Sequence, residues 1–337
     1  MKKKKVAIIG CGAIFNRHLD AIQKNNGLYE LVAVCDIQKE ISQTYGERYG
    51  VDSFFSLEDC LEKSCADFYV IATPNYLHYE QAKKCILKSK EVLVEKPATL
   101  RKEELVELVE LAKEKKVNAY CILQVRLNNS VAVVKKCLEK NLLGRIRSAS
   151  LIQRWQRPVE YFSGWRAISK MGGGTLHEVG IHYIDILQYL LGSPKIVSSK
   201  TFNTKHKDAE IEDTVYSLLD FGEYGGTLEV TISAEPHNLE CSLSIMGSNG
   251  FLKLGGKALN IVESYNFLSH GAKKKFEHIV QEYENVTDIS PNDYGSYLGS
   301  CPNHSDLYGN LKKFNLEQAL DSLKVIEDVY SACGRRY

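Results

Sequence analysis

No stretch of this 337-residue chain approaches the roughly 20 consecutive apolar residues that a transmembrane helix needs. Nor is there an excess of either charge: 43 Lys and Arg balance 42 Asp and Glu, for a formal net charge of +1. Such a surface has no general attraction for nucleic acid or for an anionic membrane, so any anionic ligand must be held by a local cluster. The ten cysteines stand singly, with no Cys-x-x-Cys and no paired Cys/His spacing. That argues against a structural zinc site, and no metal is expected. Isolated thiols of this number suit a reducing cytoplasm, with most of them serving as small core residues. Repeats and low-complexity segments are missing as well. Lys2 to Lys5 followed by apolar residues imitates an export signal, and Ile8-Ile9-Gly10-Cys11 imitates a lipoprotein box. The apolar run before Cys11 is only Val6 to Ile9, short of the about 7–15 residues of a secretory core. The same residues read as a buried strand entering a glycine turn.

What is present is order in the pattern. The first 124 residues alternate strand signals (Lys5–Ile9, Leu31–Cys35, Asp67–Ala72, Glu91–Val94, Asn118–Leu123) with helical ones (Ala13–Lys24, Gln38–Tyr49, Tyr76–Lys88, Lys102–Lys116). Alternation of this kind implies βαβ units and a parallel sheet. After a helix at Ser130–Lys140, strand-like runs follow one another: Ile146–Trp155, Ile196–Thr201, Thr214–Phe221, Gly226–Ser233, Glu240–Met246 and Phe251–Leu254. Turn residues separate them, which predicts a largely antiparallel open sheet. A helix at Ile181–Leu191 interrupts the series and another, about Leu316–Ala332, ends it. The fold class is therefore α/β. It comprises an N-terminal parallel-sheet domain over 1–124 and a C-terminal α+β domain over 125–337 for substrate binding and oligomerisation. The final helix is free to pack back on the first domain.

The first turn, Gly10-Cys11-Gly12-Ala13-Ile14-Phe15, follows a strand and opens a helix. Gly10 permits the tight turn. Gly12 lets the backbone approach a pyrophosphate, whose charge the free N–H groups and dipole of the helix start favour. Phe15 occupies the third position of this Rossmann fingerprint, where Gly or Ala is usual. Asp36 closes the second strand, 26 residues after Gly10. A carboxylate there accepts hydrogen bonds from ribose hydroxyls and repels a 2′-phosphate, which favours NAD over NADP. Thr73-Pro74-Asn75 and Glu95-Lys96-Pro97 follow two further strands, at the carboxyl ends where open α/β sheets bind ligands. The competing readings are a glycine turn without a nucleotide and a surface lysine before a proline.

In combination these residues resemble the Gfo/Idh/MocA oxidoreductases: Gly10-Cys11-Gly12, Asp36, Thr73-Pro74-Asn75 with His78, Glu95-Lys96-Pro97, and the run Gly172-Gly173-Gly174-Thr175-Leu176-His177-Glu178-Val179-Gly180-Ile181-His182-Tyr183-Ile184-Asp185. Further segments are similar to one branch, the UDP-N-acetylglucosaminuronate 3-dehydrogenases of surface-polysaccharide sugar synthesis. They are Gln124-Val125-Arg126-Leu127-Asn128, Trp155 to Phe162, Trp165-Arg166 and Glu212-Asp213-Thr214. The resemblance implies Lys96 and His182 as the catalytic pair, supported by Glu178 and Asp185. It implies NAD held by Gly10, Gly12, Ala13, Ile14, Asp36, Thr73, Pro74, Asn75, His78, Glu95, Lys96 and Gln124. Glu178 is a departure, since the family usually has Asp there and this branch Asn. A homodimer or homotetramer is the family expectation, and relatives in this branch regenerate NAD with a 2-oxo acid.

Oxidation of an alcohol needs a base for the hydroxyl proton and a positive group for the developing alkoxide. On a helix, Glu178, His182 and Asp185 are four and three residues apart and share a face. His182 is suited to take a proton near pH 7, and Lys96 can hydrogen-bond the same hydroxyl. Two uses are open to Asp185: orienting the imidazole, or pairing elsewhere. For a nucleotide-sugar uronate, Arg126, Arg157 and Arg166 offer bidentate contacts to pyrophosphate or carboxylate. Asn128, Tyr161, Trp165, Glu178, His182 and Tyr308 complete the expected substrate contacts, with His304 four residues before Tyr308. The bland alternative is a packed aromatic segment with surface arginines. Two other functions compete: an NAD-dependent glycosidase that oxidises C3 transiently, and a regulator that binds NAD(P) without turnover. The joint presence of Lys96 and His182 argues against the regulator.

Overall fold

The computed structural model of the protein describes residues 2–283, 286 and 304–334. The chain divides into two compact units, Met1–Gln124 with Asn303–Leu320, and Val125–Pro302 with Asp321–Tyr337.

In the first unit the strands are β1 (Lys4–Ile9), β2 (Tyr29–Cys35), β3 (Asp52–Phe54), β4 (Phe68–Ile71), β5 (Glu91–Val94) and β6 (Ala119–Cys121). They pair in parallel in the order β3-β2-β1-β4-β5-β6. That is the strand order of a dinucleotide-binding sheet, in which the chain's progression reverses between β1 and β4 while the strands stay parallel. The central strands are apolar on both faces, as helices on either side require: Val6 to Ile9 and all of β4 are buried. β3 and the helix Leu57–Lys63 were not foreseen, so the strand expected third is fourth in the chain. Three-residue β3 is too short to show a period. Ser56 starts that helix by accepting the Asp59 N–H at 3.2 Å. At the far edge, the Cys121 N–H donates to the Phe314 carbonyl at 3.0 Å. Residues near the end of the chain thus cover an otherwise open strand.

Phe15, the departure in the glycine fingerprint, is fully buried, with its ring 4.4 Å from that of Tyr45 and 6.2 Å from that of Tyr49. An aromatic plug between the helices Phe15–Lys24 and Lys39–Tyr49 takes the place of a small residue.

The second unit carries β7 (Ile146–Arg154), β8 (Lys195–Phe202), β9 (Thr214–Asp220), β10 (Gly225–Thr231), β11 (Glu240–Gly247), β12 (Gly250–Gly255) and β13 (Ile261–Phe267). Their order is β13-β12-β11-β7-β10-β9-β8. Every neighbouring pair is antiparallel except β7 with β10. The period of two puts Ala149, Leu151 and Gln153 inward on β7, and Val215 and Leu219 inward on β9. Those faces share one core with apolar residues of the helices Asn129–Glu139 and Ile181–Leu191. A further helix, His270–Gln281, was not anticipated; its three consecutive lysines mask the apolar face that buries Phe276 and Ile279. The fold class is thus α/β overall, a parallel sheet followed by a mixed, mostly antiparallel one, as the sequence indicates. Among the described residues no helix is long and apolar enough to cross a membrane, and the cysteines are free thiols.

Candidate active site

In the first unit the candidate residues gather at the carboxyl ends of β1, β2, β4 and β5. Gly10 has φ +98°, and a Cβ on it would lie 2.5 Å from the Ala72 carbonyl oxygen. Only glycine lets the end of β1 lie this close to the end of β4. A Cβ on Gly12, by contrast, would meet no atom within 4 Å. This open space, directly before the first helix, fits the approach of a dinucleotide pyrophosphate to Gly12, Ala13 and Ile14. Asp36 holds the turn together: its Oδ2 accepts the Cys11 N–H at 2.8 Å and its Oδ1 the Gln38 N–H at 2.9 Å. The Cys11 thiol is pushed up to about 12, by burial first and then by the Asp36 charge, so it is no nucleophile. Gln124 is buried, and its Oε1 has no partner among the described residues, an acceptor that suits a ligand donor.

The stretch around Lys96 is fixed from both sides. His78 is buried; its Nδ1 lies 2.7 Å from the Pro97 carbonyl oxygen and its Nε2 2.8 Å from that of Thr73. It therefore ties the segments after β4 and β5 together. Burial lowers its pKa, and the two carbonyls offset this only in part. Thr73 donates its hydroxyl to Gln81 at 2.6 Å. Pro74 precedes the short 3-10 turn Asn75–Leu77, in which Asn75 is buried. The Lys96–Pro97 peptide bond is cis. On the other side, Glu95 is buried and accepts from His18 Nε2 at 3.0 Å and His304 Nε2 at 2.7 Å. Tyr308, expected at the substrate, is instead buried with its hydroxyl 2.9 Å from His18 Nδ1. This corrects its expected role, because a hydroxyl enclosed with one imidazole is spent on it. Tyr308 and His304 sit on one helix, His304–Gly309. The sequence reading missed His18 altogether. Its only signal was a polar residue on the apolar side of the first helix.

In the second unit, Gly173 and Gly174 have φ +81° and +96° and lead into the segment carrying His182. That segment is not one α-helix: Leu176–Gly180 forms a π-helical turn, and α-helix begins at Ile181. Glu178 lies in the wider turn, so its spacing to His182 is not the regular α-helical one. Of the two uses open to Asp185, the structure shows the second. Its Oδ1 and Oδ2 accept from Arg126 Nη2 and Nε, both at 2.7 Å, in a buried bidentate pair. Burial raises the Asp185 pKa, and Arg126 only partly counters it. Asn128 is also engaged internally, donating to the Ala258 carbonyl at 2.8 Å.

Other candidates do converge. Arg157 lies over the rings of Trp155 (4.7 Å) and Tyr161 (5.4 Å). Arg166 lies over Tyr161 (5.3 Å) and Trp165 (4.4 Å). Tyr161 is thus flanked by two guanidinium groups, a cation–π arrangement. Glu178 joins them: it accepts from the Tyr161 hydroxyl at 3.2 Å and approaches Arg166 Nε at 3.4 Å. His182 is buried, on the same segment. The cluster unites two cations, one carboxylate and stacking surface, a set able to hold an anionic, ring-bearing ligand.

Comparison with known proteins places the chain in a family. The pattern of the "Oxidoreductase family, NAD-binding Rossmann fold" matches residues 4–122, and that of the "GFO/IDH/MocA C-terminal domain" matches 131–253. Glucose-6-phosphate 3-dehydrogenase of Bacillus subtilis is 30% identical over 244 residues, covering 71% of this chain and 69% of the relative. The chain belongs to the Gfo/Idh/MocA oxidoreductase family. It is an NAD-dependent dehydrogenase of the sugar and polyol class. Two solved structures of this family cover nearly all of it. The WlbA dehydrogenase from Bordetella pertussis, in complex with NADH and UDP-GlcNAcA, superposes with a TM-score of 0.83 at 28% identity, covering 99% of this chain and 97% of its own. The WlbA dehydrogenase from Chromobacterium violaceum, with the same two ligands, gives 0.86 at 27%, covering 98% and 94%.

Proposed function

We propose that this family member oxidises the C3 hydroxyl of a UDP-N-acetyl-hexosaminuronate, UDP-N-acetylglucosaminuronate foremost, in the synthesis of surface-polysaccharide sugars. The observation that carries the reading is the likeness, over at least 98% of the chain, to two dehydrogenases solved with NADH and UDP-GlcNAcA. The Arg157–Tyr161–Arg166 cluster supports it, since a nucleotide-sugar uronate brings a pyrophosphate, a carboxylate and flat rings. When bound, NAD supplies the acceptor for the carbinol hydride. His182 takes the hydroxyl proton. The Lys96 ammonium hydrogen-bonds the same oxygen and stabilises the negative charge that grows on it. Arg157, Arg166, Tyr161, Trp165 and Glu178 orient the substrate. Gly10, Gly12, Ala13, Ile14, Asp36, Thr73, Pro74, Asn75, His78 and Gln124 form the cofactor shelf, with Asp36 selecting NAD. A 2-oxo acid is the proposed reoxidant.

Self-association belongs to the same proposal. Tyr216, Leu218, Met246 and Phe251, on the face of the second sheet away from its core, are each between 44% and 52% exposed. A second copy of the chain is the occupant we assign to that face.

The test is incubation with UDP-N-acetylglucosaminuronate, NAD and 2-oxoglutarate, followed by mass spectrometry. Lys96→Ala and His182→Ala are run alongside, with cofactor occupancy checked in each. A 3-keto product from the wild type, absent from both NAD-loaded variants, is the expected result. A folded, NAD-loaded wild type that makes none removes the substrate assignment.

A further inference from the structure

The two oxygens of Glu95 do different things. Oε1 accepts from two imidazoles, His18 Nε2 at 3.0 Å and His304 Nε2 at 2.7 Å. Oε2 accepts the backbone N–H of Lys96 at 3.1 Å. The protonation pattern follows from the partners. Burial, then the Glu95 charge, holds the Tyr308 hydroxyl well above its ordinary range, so it remains an O–H; because the Glu95 carboxylate at His18 Nε2 can only accept, the neutral ring leaves Nδ1 bare to accept that O–H at 2.9 Å. The proton of His18 is thus on Nε2, facing Glu95. Burial alone would push the Glu95 carboxyl up. The hydrogen bonds from His18 and His304 outweigh it and hold the group well below its usual range, so Glu95 is a carboxylate. A buried anion is tolerated only when donors surround it, and here three do. They come from the first helix, from the helix His304–Gly309 and from the loop itself. Among the described residues, His78 is a further titratable group facing this loop, and its ring holds the Pro97 carbonyl on the other side of Lys96.

The three side chains could share a metal by proximity, since their ligand atoms lie within 4.8 Å of one another. Their distances decide against it. A tetrahedral ion with bonds of about 2.0–2.1 Å would separate its ligand atoms by roughly 3.3 Å, whereas His304 and Glu95 are 2.7 Å apart. That is the length of a charge-assisted hydrogen bond.

We propose that Glu95 is a positioning residue for Lys96, and that His304 and Tyr308 act through it as a strap that sets the lysine-bearing loop. This rests on Lys96 being the group that stabilises the alkoxide. A chain segment about 200 residues downstream, which touches no reacting atom, thereby controls catalytic geometry. Residues 304–308 are then functional, and they tolerate substitution less than burial alone would dictate.

The experiment separates this from the choice of substrate. Lysines of the NAD-loaded protein are dimethylated with 13C-formaldehyde, and the Lys96 resonance is identified by its loss in Lys96→Ala. Its titration is followed by NMR in wild type, Tyr308→Phe, His304→Gln and His304→Ala. Tyr308→Phe alters no charge near the loop, so a shift in its titration midpoint reports geometry. The expected result is a shift of about half a pH unit or more in Tyr308→Phe and His304→Ala, with His304→Gln, which keeps an N–H donor, closer to wild type. With a turned-over substrate, kcat falls about tenfold while KM for NAD stays within about twofold. Unmoved Lys96 titration in folded Tyr308→Phe and His304→Ala overturns the proposal, as does one equivalent of metal in the purified protein. A moved titration in an enzyme inactive on UDP-N-acetylglucosaminuronate supports the strap and removes only the substrate. Full activity of Lys96→Ala overturns the strap's catalytic meaning.

Discussion

Both carboxylate oxygens of Asp185 lie 2.7 Å from nitrogens of Arg126, and both side chains are over nine-tenths buried. This pair sits in the second unit, with Asp185 three residues beyond His182 on the same helix. Arg126→Ala leaves an uncompensated charge and is expected to cost about 3–5 kcal/mol. The sign with pH is definite. A carboxyl whose folded pKa is raised above 3.8 binds more protons folded than unfolded between those two values. Its ionisation therefore weakens the fold as pH rises through the folded pKa. In Arg126→Ala that penalty grows, so the deficit against wild type in chemical denaturation should be smaller at pH 5 than at pH 8. An equal deficit at both would show that Asp185 does not change its protonation between those two pH values.

Acid stability of the wild type follows from the first unit. His18 and His78 have folded pKa values lowered from 6.5, chiefly by burial. The unfolded chain binds their protons first, so stability present above 6.5 is lost as pH falls below it. Glu95 is held well below 4.5, so its contribution, present above 4.5, is lost as pH falls through its folded value. The melting temperature should decline from pH 7 to 5 and more steeply below 4.5. In Glu95→Gln the second decline should be shallower. A flat profile from pH 7 to 5 would mean the two imidazoles are not neutral in the fold.

The two glycines of the first turn separate folding from cofactor binding. Gly10→Ala forces a Cβ against the Ala72 carbonyl at positive φ and should destabilise by roughly 2–3 kcal/mol. Gly12→Val meets only open space, so the melting temperature of the apo protein should hold. Its affinity for NAD, read by calorimetry, should fall more than about tenfold, because the side chain fills the pyrophosphate's place. Wild-type affinity in Gly12→Val would move the cofactor elsewhere.

How far the sequence was legible depended on the reach of each interaction. The glycine turn, Asp36 and the strand ends could be read because their spacing along the chain is the signal. The antiparallel second sheet could be read because its strands and turns are consecutive. The π turn at Leu176–Gly180 leaves no periodic mark, so Glu178 was placed on a regular helical face. Arg126 and Asp185, 59 residues apart, and Glu95 and His304, 209 apart, could not be paired by pattern. Arg126, Glu95 and His304 were instead assigned outward, to ligands, and Asp185 was left open between orienting His182 and pairing elsewhere. Buried polar groups bind one another when their partners are distant in sequence, and a sequence shows the groups without the partners. Tyr308 went astray for that reason.

Glu178 provides the sharpest test of the substrate. Its carboxylate approaches Arg166 Nε at 3.4 Å and accepts from Tyr161 at 3.2 Å, so it partly neutralises a cation assigned to substrate. Arg166 is about one-third exposed, which limits the pair's contribution to stability, and Glu178→Gln should fold normally. The amide retains an acceptor for Tyr161 and removes the charge opposing an anionic ligand. For UDP-N-acetylglucosaminuronate, KM should therefore fall about threefold or more, on the order of 0.7 kcal/mol. A counterpart with an uncharged sugar, UDP-N-acetylglucosamine, shares the pyrophosphate but lacks the uronate. If Arg166 meets the uronate carboxylate, only the acidic sugar gains. If both gain equally, Arg166 serves the pyrophosphate. If the acidic sugar binds more weakly in Glu178→Gln, then Glu178 itself contacts the substrate as a hydrogen-bond acceptor, and the cluster selects hydroxyls over a carboxylate.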